Sequence, residues 1–274
     1  MAAGGIPPIT GKADNSGSIT DRPILKPHSA TLHSASKSFL YPHIHYFGCF
    51  PTALFLTSSQ SEKEYFQKRF KNVYVINNPV MPGLPHPYSG ERKKVIVNFC
   101  RMTPQKNLSV LLEAFQKFHN EYPEYILKIF GNTQEKAEAE EKNKLVGRIS
   151  DLKLADCAFI LPPVPDVHEK IIDSAMFVSS SDYEGLSNTM LEAMAIGLPC
   201  VCTDCLGGGT REVMVDHENG LIVPMKDPES MYRAMKEYVE NQELAEKCSM
   251  NAARIRDRLS VEKITQQWLD VIEG

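Results

Sequence analysis

The 274-residue chain has no stretch approaching 18 consecutive apolar residues, and its first residues, MAAGGIPPITGKADNSGS, hold neither a basic lead nor an apolar run. The first absence excludes a membrane-spanning helix and the second a secretory leader, so a cytoplasmic location is expected. Long runs of Lys or Arg are also missing, and the formal net charge is −4. That balance argues against nucleic acid or an anionic membrane surface as the main partner, and leaves open a local basic pocket for a small anion. There is no Asp-x-Asp pair and no internal repeat. Seven cysteines make an odd number, and three fall in PCVCTDC, where Cys200 and Cys202 alternate as strand residues do. Free thiols in a reducing compartment are expected there, with no metal site.

What is present suffices for a core, since hydrophobic residues make up 42% of the chain. Residues 1–28, rich in Gly, Pro, Ser and Thr and without hydrophobic period, read as a disordered tail. TALFLTSSQSEKEYFQKRFKNVYVINNP reads as a short strand, an amphipathic helix over 60–70 and a second strand over 73–77. Residues 29–78 thus read as the last portion of an α/β domain whose beginning the sequence does not contain. Beyond NNPVMPGLPHPYSGE the period alternates: strands over 94–99, 125–130, 157–161, 175–180, 199–203 and 220–223, with helices over 107–120, 134–149, 167–173, 187–196 and 209–214 between them. This predicts a doubly wound parallel sheet covered on both faces, occupying residues 79–258. Asp227 reads as an N-cap with Pro228 at the first helical position, and helical patterning continues to Ile272, the end (259–274) forming a C-terminal helix.

In such a sheet, ligands lie beyond the carboxyl ends of the strands, where helix N-termini attract anions. Two strand-to-helix turns are chemically marked. In NFCRMTPQKN, Arg101 and Lys106 sit in the turn and Asn107 is placed to cap the next helix. Two cations set against a helix dipole suit a bound diphosphate; from this stretch alone, solvated surface charges are the favoured reading. In SDYEGLSNTMLEAMAIGLP, Glu184 lies in the loop, Ser187 or Asn188 near the helix start, and Glu192 about one turn in. Two carboxylates so placed can each accept hydrogen bonds from vicinal hydroxyls, holding two sugar rings at either end of a phosphate bridge. Alternatively, Glu192 is a salt-bridge partner and Glu184 a capping residue.

The segments CRMTPQKNLSVLLEAF, VPDVHEKIIDSAMFVSSSDYEG and EGLSNTMLEAMAIGLPCVCTD, with VINNPV before them, resemble in order and spacing the donor-binding domain of glycosyltransferase family 4, of GT-B fold, over about residues 55–272. The resemblance implies a Rossmann-like domain and transfer of a sugar from a nucleoside-diphosphate sugar, a UDP-sugar, to an acceptor hydroxyl with retention of configuration. It implies work in surface polysaccharide or lipopolysaccharide synthesis on a glycan or lipid-linked acceptor, without metal or further cofactor. Glu192 is implied on the ribose hydroxyls and Glu184 on the donor sugar. The backbone amides of Leu186, Ser187, Asn188 and Thr189 are implied on the sugar and diphosphate, and Arg101 and Lys106 on the departing diphosphate. Arg101, Lys106 and Glu184 are thereby the catalytic candidates.

The chain departs from the family pattern at Cys100, where Gly is usual and a side chain is expected to narrow the pocket, and at Asn132 and Thr133, where Gly-rich turns are common. The acceptor-side half of the cleft is mostly absent from the sequence, and peripheral contact with the inner face of a membrane is assigned to it. His33 stands about where an acceptor-side catalytic group sometimes lies, but no motif separates it from His28, His43 and His45, which otherwise read as loop histidines, and His168 reads as a helix-surface residue. A non-catalytic nucleotide-sugar-binding domain is the alternative class.

Overall fold

The structure, a computed structural model, describes residues 45–47, 54–132 and 135–273. The expectations for residues 1–28, for His28, His33 and His43, and for Thr133 lie outside the described residues. The first described elements form a small sheet of β1 (His45–Phe47), β2 (Leu54–Thr57) and β3 (Val73–Val75), with β1 antiparallel and β3 parallel to β2. Between β2 and β3 lies α1 (Gln60–Phe66), opened by Ser59, whose hydroxyl accepts from the Glu62 amide at 3.2 Å. The helix stops at Phe66, short of the expected 70. The chain turns there so that Phe70 can stack on Phe55 with ring centroids 3.7 Å apart, completing a cluster with Phe66 and Val73. Tertiary packing of one aromatic overrides the helical period.

The main sheet comprises β4 (Lys93–Arg101), β5 (Ile126–Asn132), β6 (Ala158–Leu161), β7 (Ser174–Ser179), β8 (Cys200–Thr203) and β9 (Leu221–Val223). All pairs are parallel, in the order β6-β5-β4-β7-β8-β9. The crossovers carry α2 (Leu108–Glu121), α3 (Lys136–Asp151), α4 (Val167–Ile171), α5 (Asn188–Ala195) and α6 (Gly209–Val213). The chain closes with α7 (Pro228–Glu240), α8 (Gln242–Ala253), α9 (Ile255–Arg258) and α10 (Val261–Glu273). As expected, Asp227 caps α7, accepting from the amides of Glu229 and Ser230 at 3.0 Å each.

Period-two alternation along the strands divides their side chains between two cores. Ile96, Met176, Val178 and Val201 join Leu111, Phe115 and Phe118 of α2 and Met231 and Met235 of α7 on one face. Val97, Phe99, Phe177, Cys200 and Cys202 join Met190 and Met194 of α5 and Ile264 of α10 on the other. Both faces are therefore covered, the arrangement that a parallel sheet requires. Among the described residues no helix is long and apolar enough to cross a membrane.

The order of the strands fixes where a ligand can lie. From β4 the chain moves outward through β5 and β6, then returns to place β7 on the other side of β4. The connections leaving β4 and β7 diverge and open a crevice beyond their carboxyl ends. Arg101 ends β4, and the loop bearing Glu184 follows β7.

Candidate functional site

The turns leaving β4 and β7 are laced together before any ligand is considered. After Arg101 the chain makes a 3-10 turn (Pro104–Lys106), and Asn107 adopts a left-handed conformation (φ 44°) at the start of α2. The Ser180 hydroxyl donates to the Lys106 carbonyl at 2.9 Å, and the Asp182 amide to the Gln105 carbonyl at 2.9 Å. The Gln105 side chain donates to the Tyr183 carbonyl at 2.9 Å. Asn107 corrects one expectation: its side chain does not cap α2 but donates to the Asp182 carboxylate at 2.9 Å, tying one turn to the other.

Within this frame the Lys106 ammonium pairs with Glu184 Oε1, which also accepts from the Ser181 hydroxyl at 2.9 Å. Only 12% of the Lys106 side chain and 14% of the Glu184 side chain is exposed. A pair this buried gives up most of its hydration and adds little net stability, so stability does not account for it. The Glu184 loop is fixed from behind by the Asp204–Gly209 connection. The Glu184 amide donates to the Leu206 carbonyl at 2.9 Å, and a Cβ at Gly209 would overlap the Gly185 carbonyl. From α1, Glu62 accepts from Tyr183 Oη at 3.1 Å and from the Ser58 amide at 3.0 Å.

These groups surround a cavity of about 460 Å³, within the size range of small-molecule sites. Arg101, Lys106, Glu184, Leu186, Ser187, Asn188 and Thr189 all line it. Of the two candidates for the start of α5, Ser187 is the N-cap, its hydroxyl accepting from the Met190 amide at 3.5 Å. The amides of the first turn therefore open beside Arg101 and Lys106, with the positive end of the helix dipole among them. Cys100 also lines the cavity, and burial pushes its thiol up to about 12 against the pull of Lys106. The site thus meets a neutral thiol, not a thiolate.

Glu192 is placed differently. It lies one turn into α5, outside the residues lining this cavity, and its Oε2 is 2.9 Å from His168 Nε2. His168 was expected on a helix surface and is buried instead, its ring packed edge-on against Phe99 at 5.7 Å. Three further residues were assigned no role from the sequence. Ser181 is one of three consecutive serines, Asn78 donates to the Asn188 side chain at 2.9 Å, and Trp268 of α10 lines the cavity. Only Trp268, the single tryptophan of the chain, carried a compositional signal. Cys202 and Cys205, which have two residues between them, are both buried, and among the described residues no group of three His, Cys, Asp or Glu could hold a metal ion.

Comparison with known proteins bears on this arrangement. A glycosyltransferase of Haemophilus influenzae described as uncharacterized is 27% identical over 219 residues, covering 79% of this chain and 60% of that protein. The amylovoran biosynthesis glycosyltransferase AmsD of Erwinia amylovora is 27% identical over 224 residues, covering 78% and 60%. Among solved structures, Anabaena HepE in complex with UDP and glucose superposes with a TM-score of 0.72 at 20% identity, covering 80% of this chain and 63% of that one. The chain thus shares the GT-B-type fold and spans little more than half the length of these relatives. The family model "Glycosyl transferases group 1" matches residues 87–255, a segment that holds both laced turns and the cationic and carboxylate groups between them, and the chain belongs to that family.

Proposed function

We propose that this chain carries the nucleotide-sugar-binding domain, residues 79–258, of a retaining family 4 glycosyltransferase, with residues 29–78 closing an acceptor domain and 259–274 forming the terminal helix. The observation that carries the reading is the convergence of Arg101, Lys106 and Glu184 on the N-terminus of α5 around one cavity. A diphosphate placed there meets two cations and the helix dipole, while sugar hydroxyls reach Glu184. Glu192 then takes the ribose hydroxyls, and the backbone of Leu186, Ser187, Asn188 and Thr189 lies under the bridge between the rings.

The reaction breaks the bond from the anomeric carbon to the diphosphate and forms one to the oxygen of an acceptor hydroxyl, whose proton leaves with the diphosphate. Negative charge grows on the departing oxygen. The α5 amides, Arg101 and Lys106, once binding has released it from Glu184, stabilise that charge and lower the barrier; one such donor is worth about 3 kcal/mol. In the free protein Lys106 is held by Glu184. Binding exchanges these partners, the diphosphate taking Lys106 and the sugar hydroxyls taking Glu184.

A UDP-sugar is the proposed donor, supported by the UDP and glucose in the fold neighbour HepE. Surface polysaccharide assembly on a glycan or lipid-linked acceptor is the proposed setting, supported by the relative named for amylovoran biosynthesis. The proposed location is the cytoplasm, at the inner face of the membrane. The test compares UDP with a UDP-sugar in two variants. Glu192→Ala is expected to weaken both ligands, and Glu184→Ala to weaken only the sugar-bearing one. Equal losses on both ligands in both variants contradict the assignment.

A further inference from the structure

We infer that His168 is a positioning residue that holds the Glu192 carboxylate in the orientation that reads the 2′- and 3′-hydroxyls of the ribose. This deepens the donor-site reading and rests on it for the role of Glu192. His168 lies on α4, the single-turn helix between β6 and β7, with 11% of its side chain exposed, against 18% for Glu192. Its ring is wedged by Phe99 of β4, the residue two before Arg101, and its Nε2 meets Glu192 Oε2 at 2.9 Å.

A carboxylate only accepts, so Nε2 carries the hydrogen of this bond. Glu192 Oε2 keeps a second lone pair, and among the described residues Oε1 accepts no hydrogen bond. Glu192 therefore presents both oxygens to a vicinal diol with its torsions already fixed from the side. Three elements set the geometry: β4 supplies the wall, α4 the donor, and α5 the carboxylate. Without that donor the Glu192 side chain would be freer to change rotamer, and ordering it would weaken each binding event. Holding a functional side chain by a packed, hydrogen-bonded neighbour gives both affinity and discrimination.

A structural role alone predicts lower stability; a positioning role predicts a change in selectivity. The experiment titrates the full chain with UDP and with 2′-deoxy-UDP, following heat, for wild type, Glu192→Ala, His168→Phe and His168→Gln. The phenyl ring keeps the packing on Phe99 and removes the donor; the glutamine amide restores an N–H near the position of Nε2. Expected are preference for UDP in wild type, loss of that preference in Glu192→Ala, and about tenfold weaker UDP binding with reduced preference in His168→Phe, the size of one lost hydrogen bond to a charged group. His168→Gln is expected to recover most of both.

The outcomes separate the two ideas. If Glu192→Ala leaves the preference intact, or no wild-type preference exists, the donor-site reading of Glu192 fails and this inference with it. If Glu192→Ala abolishes the preference and His168→Phe does not, the positioning role alone is overturned. Should His168→Phe fail to fold, nitrogen NMR of the histidine-labelled wild type decides. A protonated Nε2 whose resonance shifts on saturation with UDP and not with inorganic diphosphate supports the role, and an unmoved resonance overturns it.

Discussion

Neutralising Glu184 should strengthen the binding of UDP while weakening that of a UDP-sugar. In the free protein the Glu184 carboxylate holds the Lys106 ammonium, both side chains being mostly buried in the cavity wall. A diphosphate must share or displace that carboxylate, and it also feels its charge. Two unit charges about 6 Å apart at an effective dielectric constant of about 20 repel by about 3 kcal/mol, and screening by water in the open cavity reduces this to about 1.5 kcal/mol. Glu184→Gln removes the repulsion and frees Lys106, so UDP is expected to bind about tenfold more tightly by calorimetry. The sugar-bearing ligand loses its acceptor for vicinal hydroxyls and weakens. Lys106→Met has the opposite sign for UDP, and the double variant is expected to fall close to Lys106→Met, because the two residues act on one another. If Glu184→Gln weakens UDP as much as it weakens UDP-glucose, the exchange of partners at Lys106 is wrong.

Other features give independent checks. Gly209→Ala forces a Cβ into the Gly185 carbonyl and should cost about 1 to 3 kcal/mol in urea unfolding while also lowering UDP-sugar affinity through the displaced Glu184 loop. Asp227→Ala should cost about 1 kcal/mol by loss of the α7 cap. The hydroxyl of Ser230 and the capped amides hold the Asp227 carboxyl below its usual value. The cap's contribution is therefore full above the unfolded value of about 3.9 and declines as the pH falls through the lower folded value, so the difference between wild type and Asp227→Ala should vanish in strong acid. Cys100, its thiol pushed up to about 12, should resist iodoacetamide at pH 8, and rapid labelling of that residue by peptide mapping would contradict its neutral state.

The sheet was legible because its strands are short, mostly apolar and separated by helical periods, a pattern that a sheet covered on both faces explains. Cys200 and Cys202 illustrate it: their alternation marked a strand, and both pack on one face with Phe177. The cavity was legible for a related reason. The two marked turns leave adjacent strands, β4 and β7, so topology alone brings Arg101 and Lys106 to Glu184. What escaped depends on contacts between segments far apart in sequence. Phe70 leaves its helix for Phe55, and Asn107 prefers Asp182 to the end of its own helix. His168 is flanked by Asp166, Glu169 and Lys170 on a helix of one turn, too short for any period to reveal that one face is buried. Its partner is 24 residues away on α5, and nothing local announces it.

The central claim, that the crevice between β4 and β7 holds a nucleoside diphosphate sugar, is tested most directly by calorimetric titration of the chain with UDP, GDP and ADP without added metal. Saturable binding of UDP in preference to the other two is expected, weakened in Glu192→Ala. A protein shown to be folded by circular dichroism that binds none of the three would contradict it.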